Sequence, residues 1–307
     1  MQRYIAQRLV QAVVTIFLMS IIVFLMGRMT GDPATLLMSQ YSTEDDRIEI
    51  TKRLGLDKPL PEQYLIFITD ALHGDFGRSV KGDRRPALEI VLERLPASLK
   101  LAAVSLVIGL LFGLALGITS AIKRGSALDT AARVFALFGQ SIPVFLLGIV
   151  LMYVFAVLLH WLPTSGYGGF KYYILPAITM SWFTVAAITR LARTSMLDVL
   201  NCEYIKLARI KGLSESVVIL KHALRNSLIP VITFMGTFFV IMITGAVVIE
   251  TVFSWPGIGR LAVETVMDRN FPILQTIVLF MTTLYIFANL FVDILYAYVD
   301  PRIRYDK

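Results

Sequence analysis

ASLKLAAVSLVIGLLFGLALGITSAI, residues 97–122, holds a single charged residue, Lys100. A bilayer core about 30 Å thick takes about 20 helical residues. The stretch is long enough to cross it, and too long and too uniformly apolar for a buried strand. In lipid every backbone group must be satisfied within the segment, which requires helix rather than open sheet. Five further stretches read the same way: 9–29, 134–159, 174–192, 228–252 and 275–299. The sequence therefore predicts an all-α polytopic membrane protein with six transmembrane helices. Residues 1–96 form an N-terminal anchor helix and an extracytoplasmic helical segment, and 97–307 the transmembrane core.

Composition agrees. Of 307 residues, 56% are hydrophobic and 17% charged, and mean hydropathy is +0.71. Soluble domains carry about 25% charge. Disorder, a collagen-like fibre and a disulfide scaffold are excluded, and Cys202 stands alone. The net charge of +7 suits Lys and Arg held on the cytoplasmic face better than a nucleic-acid surface.

The first apolar stretch follows Arg3 and Arg8, as in a signal peptide. Its exit, Gly27-Arg28-Met29-Thr30-Gly31-Asp32-Pro33, has no small-x-small cleavage pattern, so it reads as a retained anchor. With the N-terminus inside, the inner loops hold Lys123, Arg124, Arg133, Arg190, Arg193, Lys206, Arg209, Lys211, Lys221 and Arg225, and the tail Arg302, Arg304 and Lys307. The two short outer loops hold only Lys171, Arg260 and Arg269. This asymmetry predicts both termini in the cytoplasm. Trp161 and Trp255 then fall at outer span ends, where aromatic belts form.

Between the first two spans, Thr43–Asp46 reads as a capping box opening a helix that stops near Leu54-Gly55. Pro61 opens a second helix, Glu62–Leu72, closed by Gly74, and Pro86–Leu95 forms a third. The segment is either a docking platform at the outer mouth or a cap bracing the bundle. Gly109, Gly113 and Gly117 share one face of the second span, which favours close helix packing. Pro143 breaks the third span next to Gln140 and Ser141, which become candidate path-lining residues because irregular backbone in a membrane survives against protein or water. Asn289 and Asp293 share a face of the sixth span. Asn289 is a further candidate path residue, and Asp293 reads as an interhelical partner or a proton relay. Glu250, near the outer end of the fifth span, is expected to reach the interface.

The most patterned loop is RTSMLDVLNCEYIKLARIKGLSESVVILKHALRNSLIP, residues 193–230. Met196, Leu197, Leu200, Tyr204 and Leu207 recur at helical intervals, and Gly212 stops the helix. Ser214-Glu215 opens another that carries Val217, Val218, Leu220 and Leu224 toward Pro230. A helix pair with a Gly hinge on the basic face either docks into a soluble partner or lies on lipid headgroups through Lys206, Arg209, Lys211 and Lys221.

The loop resembles the EAA loop of ABC importer permeases. It is most similar to the dipeptide, oligopeptide, glutathione and nickel branch, through Glu203, Tyr204, Ala208, Arg209, Lys211, Gly212, Leu213, Ser214 and Glu215, followed by Lys221, His222, Ala223, Leu224, Arg225, Asn226, Ile229 and Pro230. Gly31-Asp32-Pro33, Leu54-Gly55-Leu56-Asp57, Gly74-Asp75-Phe76-Gly77, Leu162-Pro163-Thr164, Ile174-Leu175-Pro176, Trp255-Pro256-Gly257-Ile258-Gly259 and Asp300–Tyr305 extend the likeness over the whole chain. One departure stands out. The broader motif has Glu-Ala-Ala starting six residues before the Gly, where this chain has Lys206-Leu207-Ala208, with Glu203 about a turn earlier.

The resemblance implies a permease subunit, not an enzyme, forming half of a path for small peptides or glutathione-like solutes; nickel or another small solute is the alternative. It implies as partners a homologous permease, two ATPase subunits carrying ATP and Mg, an extracytoplasmic solute-binding protein and membrane lipid, with no nucleic acid. It makes Leu197, Leu200, Glu203, Tyr204, Leu207, Ala208, Arg209, Lys211, Gly212 and Glu215 the ATPase-coupling loop. The chain has no phosphate-binding G-x-x-x-x-G-K-[ST] loop of its own. An ion-coupled secondary transporter is a remoter reading, resting on Asp293 without a visible repeat of the chain halves. His73, His160 and His222 are scattered and form no ligand pattern, and no cofactor or metal site is expected in this chain.

The topology is open to direct labelling. After Cys202→Ser, an impermeant thiol reagent added outside is expected to tag cysteines at positions 64 and 166 and to spare those at 211 and 307. External labelling at 211 would reverse the orientation.

Overall fold

The computed structural model describes residues 2–29, 48, 51–52, 55–81 and 84–299. Thr43–Asp46, Gly31-Asp32-Pro33 and the tail from Asp300 lie outside the described residues, as does the side chain of Asp293. Among the described residues there is no strand, only an isolated bridge between Arg78 and Pro86. Also among the described residues, five helices are long and apolar enough to cross a membrane, or six if one bent pair counts as a span.

The chain forms two compact units, Met1–Pro96 with Gly257–Ile294 and Ala97–Pro256 with Leu295–Lys307. In the first, α1 (Gln2–Met29) and α2 (Leu60–Leu72) meet through a Ser20–Tyr64 hydroxyl pair at 2.8 Å and through Phe24 against the Tyr64 ring. The start of α3 (Ala87–Ile122), α10 (Ile258–Met267) and the described part of α11 (Phe271–Val299) enclose Ala87, Val91, Ile258, Leu261, Ile273 and Ile277. Asn270 braces the preceding loop, donating to Ser79 Oγ at 2.9 Å and accepting from Val80 N.

The separate helix expected over Pro86–Leu95 and the span from 97 are one helix, α3, with Pro96 inside it. Glu89, Glu93 and Arg94 precede the proline, and the helix runs on through it into the apolar stretch.

The second unit holds the rest of α3, then α4 (Ala127–Ser141), α5 (Val144–Met152) with a π-helical continuation Tyr153–Leu158, and α6 (Phe170–Leu200). The loop follows with α7 (Glu203–Ile210) and a π turn Val218–Ala223, then α8 (Leu224–Gly245) and α9 (Val247–Val252). The glycine face of α3 lies on α6. A β-carbon at Gly109 would meet Thr184 at 2.6 Å, at Gly113 Ile188 at 2.7 Å, and at Gly117 the Thr189 carbonyl at 2.7 Å. The stripe read from the sequence is thus a close helix–helix approach.

The third span, 134–159, is broken at Pro143, as its sequence predicts. α4 ends at Ser141, and α4 and α5 turn by 104°. Pro143 has no N–H to donate, and it drives Ile142 to extended backbone at φ −79°, ψ 125°.

Two residues placed at the interface are instead inside. Glu250 is fully buried and accepts from Ser98 Oγ at 2.6 Å. Trp255 is fully buried, donates from Nε1 to the Ala97 carbonyl at 3.0 Å, and meets Tyr167 and Tyr173 edge-on. Their partners are remote in sequence, so a local reading sent both to the surface.

Gly117→Val is expected to destabilise the protein by about 1–3 kcal/mol, because its neighbour is backbone and cannot rotate away. Gly109→Ala adds only one carbon and meets mainly the Thr184 side chain, so it should cost less. Thermal unfolding of the detergent-solubilised protein ranks the two.

Candidate functional site

The loop begins where α6 ends. The single helix expected from Leu197 to Gly212 is two. Asn201 closes α6, and Cys202 turns extended at φ −68°, ψ 149° as the N-cap of α7. Leu197 and Leu200 therefore do not share a docking face with Tyr204 and Leu207. They stay on α6 and pack, half-buried, around the core beneath α7.

α7 is amphipathic. Ile205 and Ala208 point inward and close a cluster with Ala121, Met196, Val218 and Ala223. Tyr204, Leu207 and Ile210 point out, with Ile210 80% exposed. Leu213, Val217 and Leu220 continue the exposed apolar surface past the turn. Burying an isolated eight-residue helix on its own scaffold by two small contacts while leaving its larger apolar side chains bare is unusual for a solvated face.

The polar residues act locally. Lys206 pairs with Glu203 at 2.7 Å, and Arg209 Nε donates to Glu215 across the turn at 2.8 Å. Both pairs are exposed and contribute little to stability. They do fix where Arg209 and Glu215 sit relative to the hinge. Asn226 Nδ2 donates to the Tyr204 hydroxyl at 2.8 Å, tying α7 to the start of α8. Between Ser214 and α8 the sequence suggested an ordinary helix. The structure inserts a π turn over Val218–Ala223, which turns both Val218 and Ala223 inward.

Gly212 follows the last helical turn with φ +77°. Its N–H bonds the Arg209 carbonyl at 2.9 Å, and Leu213 N–H reaches back to Ala208 O at 3.4 Å. This paired closure is the Schellman arrangement, which requires a left-handed residue at this position.

The candidate path residues fall in both units. Gln140 and Ser141 end α4 in the second unit, and Ser141 Oγ donates back to the Leu137 carbonyl at 2.9 Å. Asn289 belongs to the first unit and donates to its own helix at Tyr285 O, 3.1 Å. Gln140 Nε2 is buried without a protein partner. A separate cavity of about 500 Å³ is lined by Phe112, Phe135, Tyr173, Ile174 and Trp182 and is almost wholly apolar. Neither Gln140 nor Ser141 lines it. Among the described residues no group of three or more His, Cys, Asp or Glu could hold a metal ion.

Local patterning also missed Asp129 and Arg193. Asp129 opens α4 and is 1% exposed, and Arg193 on α6 grips it through Nε and Nη2. A carboxylate three residues after Ser126 reads in sequence as an ordinary capping turn, and nothing local points to a partner 64 residues on.

A bundle of long apolar helices with an amphipathic helix pair at one loop is the architecture of a multi-pass membrane protein. Residues 113–305 match the family model for the binding-protein-dependent transport system inner membrane component, and residues 1–102 match its N-terminal companion. The chain belongs to this family and is a multi-pass inner-membrane permease subunit of an ABC importer. It is 41% identical over 306 residues to the glutathione transport system permease protein GsiC of Escherichia coli strain K12, covering 99% of this chain and 100% of that one. The Salmonella choleraesuis protein of the same name is 40% identical over the same share. Among solved structures, the MetNI methionine ABC transporter in an inward-facing form superposes with a TM-score of 0.58 at 15% identity, covering 69% of this chain and 97% of that one. An amino acid ABC transporter with histidines gives 0.55 at 13%, covering 67% and 92%. Those two likenesses speak for the fold.

Beyond its two chain neighbours, nothing lies within 4 Å of a β-carbon built on Gly212. Gly212→Val is therefore expected to cost only the left-handed backbone penalty, about 1–2 kcal/mol. Hydrogen exchange should read this as about 5- to 30-fold faster opening at the Leu213 amide, with protection in α3 and α6 unchanged.

Proposed function

We propose that this chain forms half of the translocation path of an ATP-driven importer for glutathione or short peptides, and that α7 is its coupling helix. Residues 97–307 act as the permease core, and 1–96 as anchor and external segment, with both termini in the cytoplasm. The partners are a second homologous permease, two ATPase subunits that bind ATP and Mg, and an extracytoplasmic binding protein that delivers the solute. The full-length identity to a glutathione permease supports the substrate class.

The observation that carries the coupling role is the two-faced α7, with Ile205 and Ala208 locked into the bundle core and Leu207 and Ile210 bare. A helix held this way moves with the bundle and offers an apolar surface to a groove on the ATPase. Closure of the ATPase dimer would displace α7 as a rigid lever and reorient the path. Glu203, Tyr204, Arg209, Lys211, Gly212 and Glu215 shape and hold that lever, while Ala208 anchors it. Leu197 and Leu200 support it from α6. Gln140, Ser141 and Asn289 are proposed to line the path. The competing lipid-surface role would rest on Lys206, Arg209, Lys211 and Lys221 instead.

The test is reconstitution of the whole transporter with its binding protein in liposomes, following glutathione uptake and ligand-stimulated ATP hydrolysis. Gly212→Val is expected to assemble normally yet lose both. Leu207→Asp should lower ATPase co-purification by placing an unpaired charge in the docked face. Full uptake and stimulation in Gly212→Val would reject the lever. A defect seen only on neutralising Lys206, Arg209 and Lys211 together would favour the lipid surface.

A further inference from the structure

Below the α7 socket lies one buried charge that the transport reading leaves unused. Asp129 Oδ1 accepts from Arg193 Nε at 2.7 Å and from Ser120 Oγ at 2.6 Å. Its Oδ2 accepts from Arg193 Nη2 at 3.0 Å and from the Gly125 N–H at 3.0 Å. Arg133 Nε stands 3.7 Å off. Ser120 ends α3, Gly125 forms the turn, Asp129 opens α4 and Arg193 rides on α6. One carboxylate thus joins three helices and the turn between two of them.

The same residues adjoin the socket. Ala121, next to Ser120, and Met196, one turn beyond Arg193, are both buried against Ile205 and Ala208 of α7. At this level α3 and α6 touch backbone to backbone, since a β-carbon on Gly117 would lie 3.2 Å from Arg193 N. Contact of this kind resists compression but not sliding, because apolar surfaces and glycine faces carry no directional bond. A bidentate guanidinium–carboxylate pair does, since two parallel hydrogen bonds fix both separation and angle. Buried pairs add little net stability over well-packed apolar residues, so the pair's distinctive contribution is register.

We infer that Asp129 and Arg193 are positioning residues that lock α3, α4 and α6 in register under α7, so that displacement of α7 moves the three helices together. The inference rests on α7 being the coupling helix. With the pair removed, α7 would still dock and ATP would still be hydrolysed, but its stroke would be lost in sliding between α3 and α6.

The experiment uses the complete transporter in liposomes and measures solute taken up per ATP hydrolysed, at matched amounts of assembled complex. The probe is glutathione, replaced by a labelled tripeptide if the wild-type complex does not carry glutathione. The double variant Asp129→Leu/Arg193→Met leaves no orphaned charge. It is expected to assemble and to hydrolyse ATP near the wild-type rate, with uptake per ATP lowered at least tenfold. Arg193→Lys keeps the charge without the fork and should fall between. Wild-type uptake per ATP in the double variant overturns the inference. So does failure of both variants to assemble, which assigns the pair to folding alone. Gly212→Val, run alongside, separates the two claims. If Gly212→Val uncouples and the double variant does not, only the register lock fails. If Gly212→Val transports normally, the coupling role of α7 fails first.

Discussion

In the second unit α3 and α6 approach closely along a glycine face, and much else there depends on it. Three glycines spaced by four let the two helices approach until Gly117 faces the Thr189 carbonyl. No side chain could be interposed without parting them. That proximity puts Ala121 beside Met196 and so creates the floor on which Ile205 and Ala208 sit. It also brings the turn after α3 close enough for Gly125 and Arg193 to share one carboxylate. In lipid, where apolar surface gains nothing by leaving solvent, such close contact is a main source of helix association.

The loop shows how a short helix can be stabilised without strong bonds of its own. Isolated helices of eight residues are marginal in water. α7 is fixed by two inward side chains, by the Tyr204–Asn226 hydrogen bond and by closure at Gly212. Its outward side chains therefore remain free to serve a partner. A helix held on one face and bare on the other has a defined orientation before anything docks, which lowers the ordering cost of association.

Much of the fold was legible because period and length speak directly about burial in a membrane. The apolar runs located the long helices, the glycine stripe announced its own contact, and Gly212 marked a helix end. Boundaries were less legible: α3 begins ten residues before the run at 97, in turns whose Glu89 and Glu93 stay exposed and pair with Arg85. The break at Asn201-Cys202 was missed because Leu197, Leu200, Tyr204 and Leu207 keep helical spacing across it, although the first two face the core and the last two do not. Glu250, Trp255 and Asp129 were misplaced or overlooked for one shared reason. Each is satisfied by a residue far away in the chain, and a charged or indole side chain near the end of an apolar run looks locally like an interfacial one.

The burial of Trp255 has an optical consequence. The chain has three tryptophans, and they occupy three different surroundings. Trp161 is largely exposed, Trp182 borders the apolar cavity, and Trp255 is enclosed by Tyr167 and Tyr173 with its indole nitrogen bonded to the start of the transmembrane part of α3. An enclosed indole emits at short wavelength and is shielded from aqueous quenchers, and two tyrosines at contact distance transfer excitation to it. A chain retaining Trp255 alone would carry a native fluorophore at the junction of α3 with the segment after α9. Any rearrangement that opened that junction would appear as a red shift in its emission, without a dye attached.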